Sequence, residues 1–299
     1  MEWTIPLLGV TAQALFIQAL HGLVYGLAYI LVAVGLTIVF GLLGVLNLAH
    51  GELYMLGAYF GLALISMTNN FWLALVISPI LVAAVGYAWE ISLFRRLYGK
   101  DHLFTFILTF GLSLFFREIA MAIWGGKVRS IPLPLMGSTR ILGTDYPDYR
   151  LFILFFSVIL IIGLWLLLTR SNAGTVIRAA AHNSQMLAAL GVNVPRIFTL
   201  VFILGAALAA ISGVILGPIF FVYPYMGVEV LLPAFVIIIL GGMGSFEGAI
   251  IAGILIGELI ALASLWINPR WAETLPFVVM VLILLIRPQG LLGKRGVFE

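Results

Sequence analysis

Fifteen basic and twelve acidic side chains are all the charge that this 299-residue chain carries, while 63% of it is hydrophobic. Soluble domains devote roughly a quarter of their residues to charge; here the share is 9%. With a mean hydropathy of +1.21, most of the surface must face lipid. That excludes a cytosolic enzyme, a nucleic-acid module and a disordered chain together. The pI near 9.3 rests on a net charge of only +3, and basic residues at a membrane–cytoplasm boundary account for it. The absence of cysteine removes disulfides, thiolate metal sites and cysteine nucleophiles.

A spanning helix needs about 20 mostly apolar residues. Apolar runs predict spans near 18–42, 48–66, 71–94, 102–124, 151–169, 197–217, 229–241, 246–266 and 274–287. The first is long enough to be tilted or to follow a short helix over 7–17, and 229–241 is too short to cross alone. The expected fold class is all-α: a polytopic transmembrane bundle of eight or nine spans with interrupted helices, in one membrane domain over 1–299. Met1-Glu2-Trp3-Thr4 lacks the basic region of a secretory signal, so the first run is read as mature protein.

Arg95, Arg96, Lys100, Arg170, Arg178, Arg196, Arg287, Lys294 and Arg295 fall on one side of a nine-span chain, which makes that side cytoplasmic. The other side holds Lys127, Arg129, Arg140, Arg150 and Arg270, diluted by Asp145 and Asp148. The N-terminus is then external. Residues 125–150, with Pro132, Pro134, Gly137, Gly143 and Pro147, are expected to form turns and short extended pieces outside. Glycine pairs four apart (Gly22/Gly26, Gly57/Gly61, Gly213/Gly217, Gly244/Gly248, Gly253/Gly257) predict close helix packing without defining a dimer face.

Catalytic constellations are missing. His21, His50, His102 and His182 are scattered, and no His-Glu-x-x-His occurs. Ala210 precedes Ile211-Ser212-Gly213 where a rhomboid-like protease needs Gly, and Ser245 follows Gly242-Met243-Gly244 where an aspartyl intramembrane protease needs Asp. There is no Gly-x-x-x-x-Gly-Lys-Ser/Thr, so work driven by ATP would need another polypeptide. No cofactor or metal is implied. The chain reads as a transporter rather than an enzyme.

Polar groups at membrane depth are costly and point to function. One cluster is Gly44-Val45-Leu46-Asn47-Leu48-Ala49-His50-Gly51-Glu52, where Asn47, His50, Gly51 and Glu52 are substrate-path candidates. A second is Gly241-Gly242-Met243-Gly244-Ser245-Phe246-Glu247-Gly248, with candidates Gly241, Gly242, Gly244, Ser245 and Glu247. Both lie between apolar runs, as paired half-helices beside a transport path do. The alternative is a tight cytoplasmic turn in each, with Asn47 or Ser245 as an ordinary N-cap. Elsewhere, Arg117 is expected to snorkel and Glu90 to be interfacial. Glu258 lines a cavity or accepts from a neighbouring helix. Tyr223-Pro224-Tyr225, Trp266 and Trp271 are expected in the external aromatic belt.

The longest internal connection, about 170–197, contains a short helix capped by Asn183 and stopped by Gly191, with Met186, Leu187 and Leu190 on one apolar edge. Such a helix suits a partner's socket; the alternative is a helix lying on lipid headgroups, disfavoured by its lack of Lys. Ala179-Ala180 … Ala189-Leu190-Gly191-Val192-Asn193 resembles the coupling loop of bacterial ABC importers, although Arg178 stands where those loops carry Glu. With Gly41-Leu42-Leu43-Gly44-Val45-Leu46-Asn47-Leu48-Ala49-His50-Gly51-Glu52, Leu240-Gly241-Gly242-Met243-Gly244-Ser245 and Arg287-Pro288-Gln289-Gly290-Leu291-Leu292-Gly293, the chain resembles LivH-type permeases, in order and over nearly its full length.

That resemblance implies a permease in the inner membrane for branched-chain or other small amino acids. It also implies a second, related permease chain, two ATP-binding cassette subunits and an external substrate-binding protein. The coupling candidates are Arg178, Ala180, His182, Asn183, Met186, Leu187, Leu190 and Gly191. Urea or short amides remain alternative solutes. A proton-coupled transporter using Glu52, His50 or Glu258 remains an alternative mechanism.

Overall fold

The structure, a computed structural model, describes residues 4–5, 10–44 and 46–293. Met1, Glu2 and Trp3, part of the 7–17 stretch, Val45, and the basic pair Lys294 and Arg295 lie outside the described residues. In lipid, backbone polar groups must be satisfied within the segment, so long apolar runs become helices. These are α1 Ala12–Leu43, α2 His50–Thr68, α3 Phe71–Ser92 followed by a 3-10 turn Phe94–Leu97, α4 His102–Trp124, α5 Asp148–Arg170, and the short α6 Asn172–His182 and α7 Ser184–Ala189. They continue as α8 Val194–Phe220, α9 Met226–Gly241, α10 Phe246–Ala263, α11 Pro269–Ala272 and α12 Leu275–Ile286. Two antiparallel hairpins complete the chain, β1 Thr4–Ile5 with β2 Val10–Thr11, and β3 Ser138–Ile141 with β4 Thr144–Pro147.

Polar side chains set most helix starts. Asn70, Asp101, Ser171, Asn183, Asn193 and Ser245 each accept a hydrogen bond from a first-turn amide of α3, α4, α6, α7, α8 and α10. Helix α2 differs: Ala49 precedes it and supplies no side-chain cap.

All nine predicted runs are helical, yet only seven segments among the described residues are long and apolar enough to cross a membrane. The expected count of eight or nine is corrected accordingly. Helix α9 spans 16 residues, about 24 Å at 1.5 Å per residue against a hydrocarbon core of about 30 Å. Helix α2 is absent from the seven although it has 19 residues; it opens with His50 and Glu52, which dilute its apolar character. The helix proposed before the first span is the first turns of α1 itself, from Ala12.

The chain divides into two compact units. One comprises Leu31–Pro132 and Leu160–Leu232, built on α2, α3 and α8 packed together. Small residues permit the approach: a Cβ on Gly57 would lie 2.5 Å from the Ala210 carbonyl oxygen, and one on Gly35 2.9 Å from that of Gly205. Ser78, one residue before the helix-interior Pro79, donates to the Gly57 carbonyl at 2.7 Å. Arg129 and Val222 exchange backbone hydrogen bonds at 2.9 and 2.8 Å.

The other unit comprises Met1–Ile30, Leu133–Ile159 and Pro233–Glu299. Here the Gly22/Gly26 stripe of α1 faces the Gly253/Gly257 stripe of α10, with the Gly26 Cβ position 2.7 Å from the Gly253 carbonyl oxygen. Glu258 lies against Gly22 in the same crossing. Gln18 donates to Ser264 at 2.6 Å. The β3–β4 hairpin, with Arg140 opposite Asp145, supplies the extended pieces expected in 125–150.

Candidate functional site

Helix α2 begins beside the interiors of α1 and α4. His50 Nε2 lies 3.2 Å from the Val32 carbonyl oxygen. From Val32 to Leu43, where α1 ends, is about 16 Å of helix at 1.5 Å per residue. Glu52 meets Ser113 and Arg117 of α4, which stand about 16 and 22 Å along that helix from His102. A Cβ on Gly44 would touch His102 at 3.4 Å, so α1 ends and α4 begins at one level. Both measurements start there and place the head of α2 roughly midway through a hydrocarbon core of about 30 Å. Residues 46–49 therefore lie within the bundle before α2 starts. The broken-helix reading describes this cluster, and Asn47 is not the N-cap of α2.

Asn47, His50 and Glu52 are each 1% exposed. Asn47 Oδ1 accepts from the Ala49 amide at 3.0 Å, a side-chain-closed turn that takes the chain into α2. Its Nδ2 is buried and donates to no described residue.

Glu52 uses its two oxygens unequally. Oε1 accepts from Ser113 Oγ at 2.8 Å and from Arg117 Nη2 at 3.4 Å. Oε2 is buried and accepts from none of the described residues, and Arg117 Nε is buried and donates to none. An unsatisfied buried polar group costs about 1–3 kcal/mol, more when charged. The Arg117 guanidinium sits 5.1 Å from the centre of the Tyr225 ring, an attractive cation–π placement. Snorkelling is thereby corrected: the Arg117 side chain is only 15% exposed and turns inward. Tyr225 belongs to this group and caps the guanidinium. The head of α9 closes the arrangement, since a Cβ on Gly227 would stand 2.6 Å from the Gly51 carbonyl oxygen and 3.2 Å from Glu52 Oε2.

The second cluster folds as a turn locked from outside. Ser245 caps α10, accepting from the Gly248 amide at 3.1 Å, and its own amide donates to the Gly242 carbonyl at 2.9 Å. Gly241 and Gly248 pack backbone to backbone. Glu247 and Gly244 are exposed. Helix α9 leaves carbonyls unpaired at its end, as every helix does, and the chain beyond α12 satisfies them. Leu291 donates to the Leu240 carbonyl at 2.7 Å and Leu292 to that of Gly241 at 3.0 Å. Gly242, at φ +100°, lets the tail come close: a Cβ there would lie 2.5 Å from the Gly293 Cα. Ser245 is thus the ordinary N-cap of the alternative reading.

In the 170–197 segment, Asn183 Oδ1 accepts from the Met186 amide at 2.8 Å and starts α7. Gly191 ends it at φ +84°, with Gly191 N to Ala188 O at 2.9 Å and Val192 N to Leu187 O at 3.3 Å. The single apolar edge is corrected. Met186 and Leu190 are 66% and 76% exposed, whereas Leu187 is 8% exposed and faces inward. Positions 186 and 190, four apart, share a helix face, whereas 187 points about 100° away from 186. Ala180 is buried too, while Arg178, His182 and Asn183 are exposed.

Glu90 stands two residues before the end of α3. Fully buried, it accepts from Arg95 Nη2 at 3.0 Å, Tyr98 Oη at 2.8 Å and Thr199 Oγ1 at 2.7 Å. Burial, and then the bond to Glu90, push the Tyr98 phenol well above its ordinary value. This network ties the end of α3 to the start of α8, just past the exposed helix α7.

Sequence reasoning missed Ser113, Tyr225, Gly227 and Thr199. Ser113 and Arg117 stand four apart in an apolar span and hydrogen-bond at 3.2 Å. That spacing shares one helix face and was the available signal. Nothing local marks Gly227 or Thr199.

The described residues form a multi-pass helical membrane protein whose α2 begins inside the helix bundle. The chain belongs to the family described as the permease component of branched-chain amino acid transport systems, which matches residues 18–284. It is 33% identical to the high-affinity branched-chain amino acid transport system permease protein BraD of Pseudomonas aeruginosa, over 94% of this chain and 96% of that one. LivH of Salmonella typhimurium is 31% identical with the same coverage. LivM of Escherichia coli is 29% identical over 88% of this chain and 67% of LivM. No solved structure matches the chain.

Proposed function

We propose that this chain is the permease subunit of an ABC importer, carrying branched-chain or other small amino acids across the bacterial inner membrane. The observation that carries the reading is the family match over 18–284, which runs through both compact units and supports one permease domain. The branched-chain systems of its relatives favour that solute class over urea or short amides. Similarity to LivM as well as LivH supports pairing with a related, different permease chain. Two ATPase subunits and an external binding protein complete the assembly.

In this reading the 170–197 segment faces the cytoplasm. Met186 and Leu190 seat in the ATPase, with Arg178, His182 and Asn183 around them, while Ala180, Leu187 and Gly191 hold the segment's shape. The Glu90 network carries its motion into α3 and α8. Asn47, His50, Gly51 and Glu52 border the substrate path. Gly241, Gly242, Gly244, Ser245 and Glu247 form the turn that joins α9 to α10. Nucleotide moves the permease between inward and outward states only through its unequal affinity for them, so substrate need bind only weakly.

Proteoliposomes holding the four membrane-associated subunits test the reading. ATP-driven leucine uptake that requires the loaded binding protein is expected. Uptake by this chain alone under a proton gradient, without ATP, would overturn it.

A further inference from the structure

The Glu52–Arg117 pair leaves half of each group unused. Arginine and carboxylate commonly join through two parallel hydrogen bonds; here one nitrogen meets one oxygen at 3.4 Å. Oε2 and Nε, both buried, find no described partner. The heads of α2 and α9 converge on the same spot, because Gly51 and Gly227 lack side chains that would hold them apart. Helix N-termini carry partial positive charge, while the His50, Glu52, Met226 and Val228 amides already donate to the carbonyls of Asn47, Ala49, Tyr223 and Tyr225. The Gly227 Cβ position is 3.2 Å from Oε2, so the unsatisfied acceptor points at this junction. Half-exposed Tyr225 roofs the guanidinium. An acceptor and a donor of opposite charge, on the two members of one ion pair and otherwise unspent, match a molecule bearing both an ammonium and a carboxylate.

We propose that the α2–α9 junction is the headgroup site for a zwitterionic α-amino acid. Glu52 Oε2 accepts from its ammonium, and Arg117 Nε donates to its carboxylate beside the two helix heads. The apolar side chain then lies outside this charged contact, so the site recognises the amino-acid headgroup and leaves side-chain choice to other surfaces. The inference rests on the importer reading and names the contacts that reading leaves open.

The test uses the assembled transporter, with three probes bound at equilibrium: leucine, 4-methylpentanoate, which lacks the ammonium, and 3-methylbutylamine, which lacks the carboxylate. Glu52→Gln is expected to weaken leucine and 3-methylbutylamine at least tenfold and leave 4-methylpentanoate unchanged. Arg117→Met is expected to weaken leucine and 4-methylpentanoate and spare the amine. Should Glu52→Gln fail to assemble, Arg117→Lys, which keeps the charge and loses Nε, is expected to weaken leucine and 4-methylpentanoate. Equal loss of all three probes in each variant, or leucine binding within twofold of the parent, overturns the site. So does ATP-driven leucine uptake by a parent transporter that binds none of the probes. Absence of ATP-driven uptake by the parent removes the importer reading, and the site with it.

Discussion

Thr199 Oγ1 donates to Glu90 Oε2 at 2.7 Å across 109 positions of sequence, and the same hydroxyl lies 2.8 Å from the Pro195 carbonyl oxygen. The hydroxyl therefore clips the first turn of α8 to a carboxylate at the end of α3. Pro195 and Asn193, which set that first turn, directly follow the exposed α7. Whatever presses on Met186 and Leu190 is thus a few residues from a rigid buried junction.

Thr199→Val keeps the shape and removes one donor from a buried carboxylate. A loss of about 1–3 kcal/mol is expected, read as a lower unfolding temperature of the purified complex. ATPase stimulation by loaded binding protein should fall further than basal ATPase. Parallel loss of both would limit Thr199 to stability.

Leu190→Asp and Met186→Asp alter exposed side chains and should cut co-purification of the ATPase subunits at least tenfold, with unfolding temperature unchanged. Leu187→Ala empties a buried position, for which about 2–5 kcal/mol is the usual range for core Leu. It should lower thermal stability first. Identical behaviour of the three variants would contradict the inward turn of Leu187.

Asn47→Ala removes the acceptor that closes the turn before α2, a loss of about 1 kcal/mol by analogy with helix caps. Uptake should drop several-fold with the assembly intact by size-exclusion chromatography. Undiminished uptake would take Asn47 out of the path.

Gly242→Ala puts a Cβ at a left-handed backbone position, which costs about 1–3 kcal/mol, and drives it into Gly293. The tail should detach from the Leu240 and Gly241 carbonyls. Faster clipping at Leu291-Leu292 by a protease of broad specificity is the expected sign, and a protection pattern like the parent's would show that the tail does not depend on this contact.

Because the chain lacks cysteine, single-cysteine replacements at Gln185 and Thr139 can be labelled with membrane-impermeant reagents in intact cells. Labelling only after permeabilisation is expected at 185, and without it at 139. The reverse pattern would invert the topology and separate 170–197 from any ATPase.

Local chemistry was enough for much of this protein. Uninterrupted apolar runs in lipid have one backbone solution, the helix. Asn183 and Gly191 start and stop α7 through atoms a few residues away. Those features need no distant partner, so they were legible in the chain itself. Local spacing could not say that Arg117 would turn inward to Glu52, 65 positions away. It could not place Gly227 against Gly51, or bring the tail onto the end of α9. Each of those choices is a competition between solvation at the membrane surface and a partner inside. Only the packing of α2, α4, α8 and α9, which fixes which partners come within reach, settles that competition.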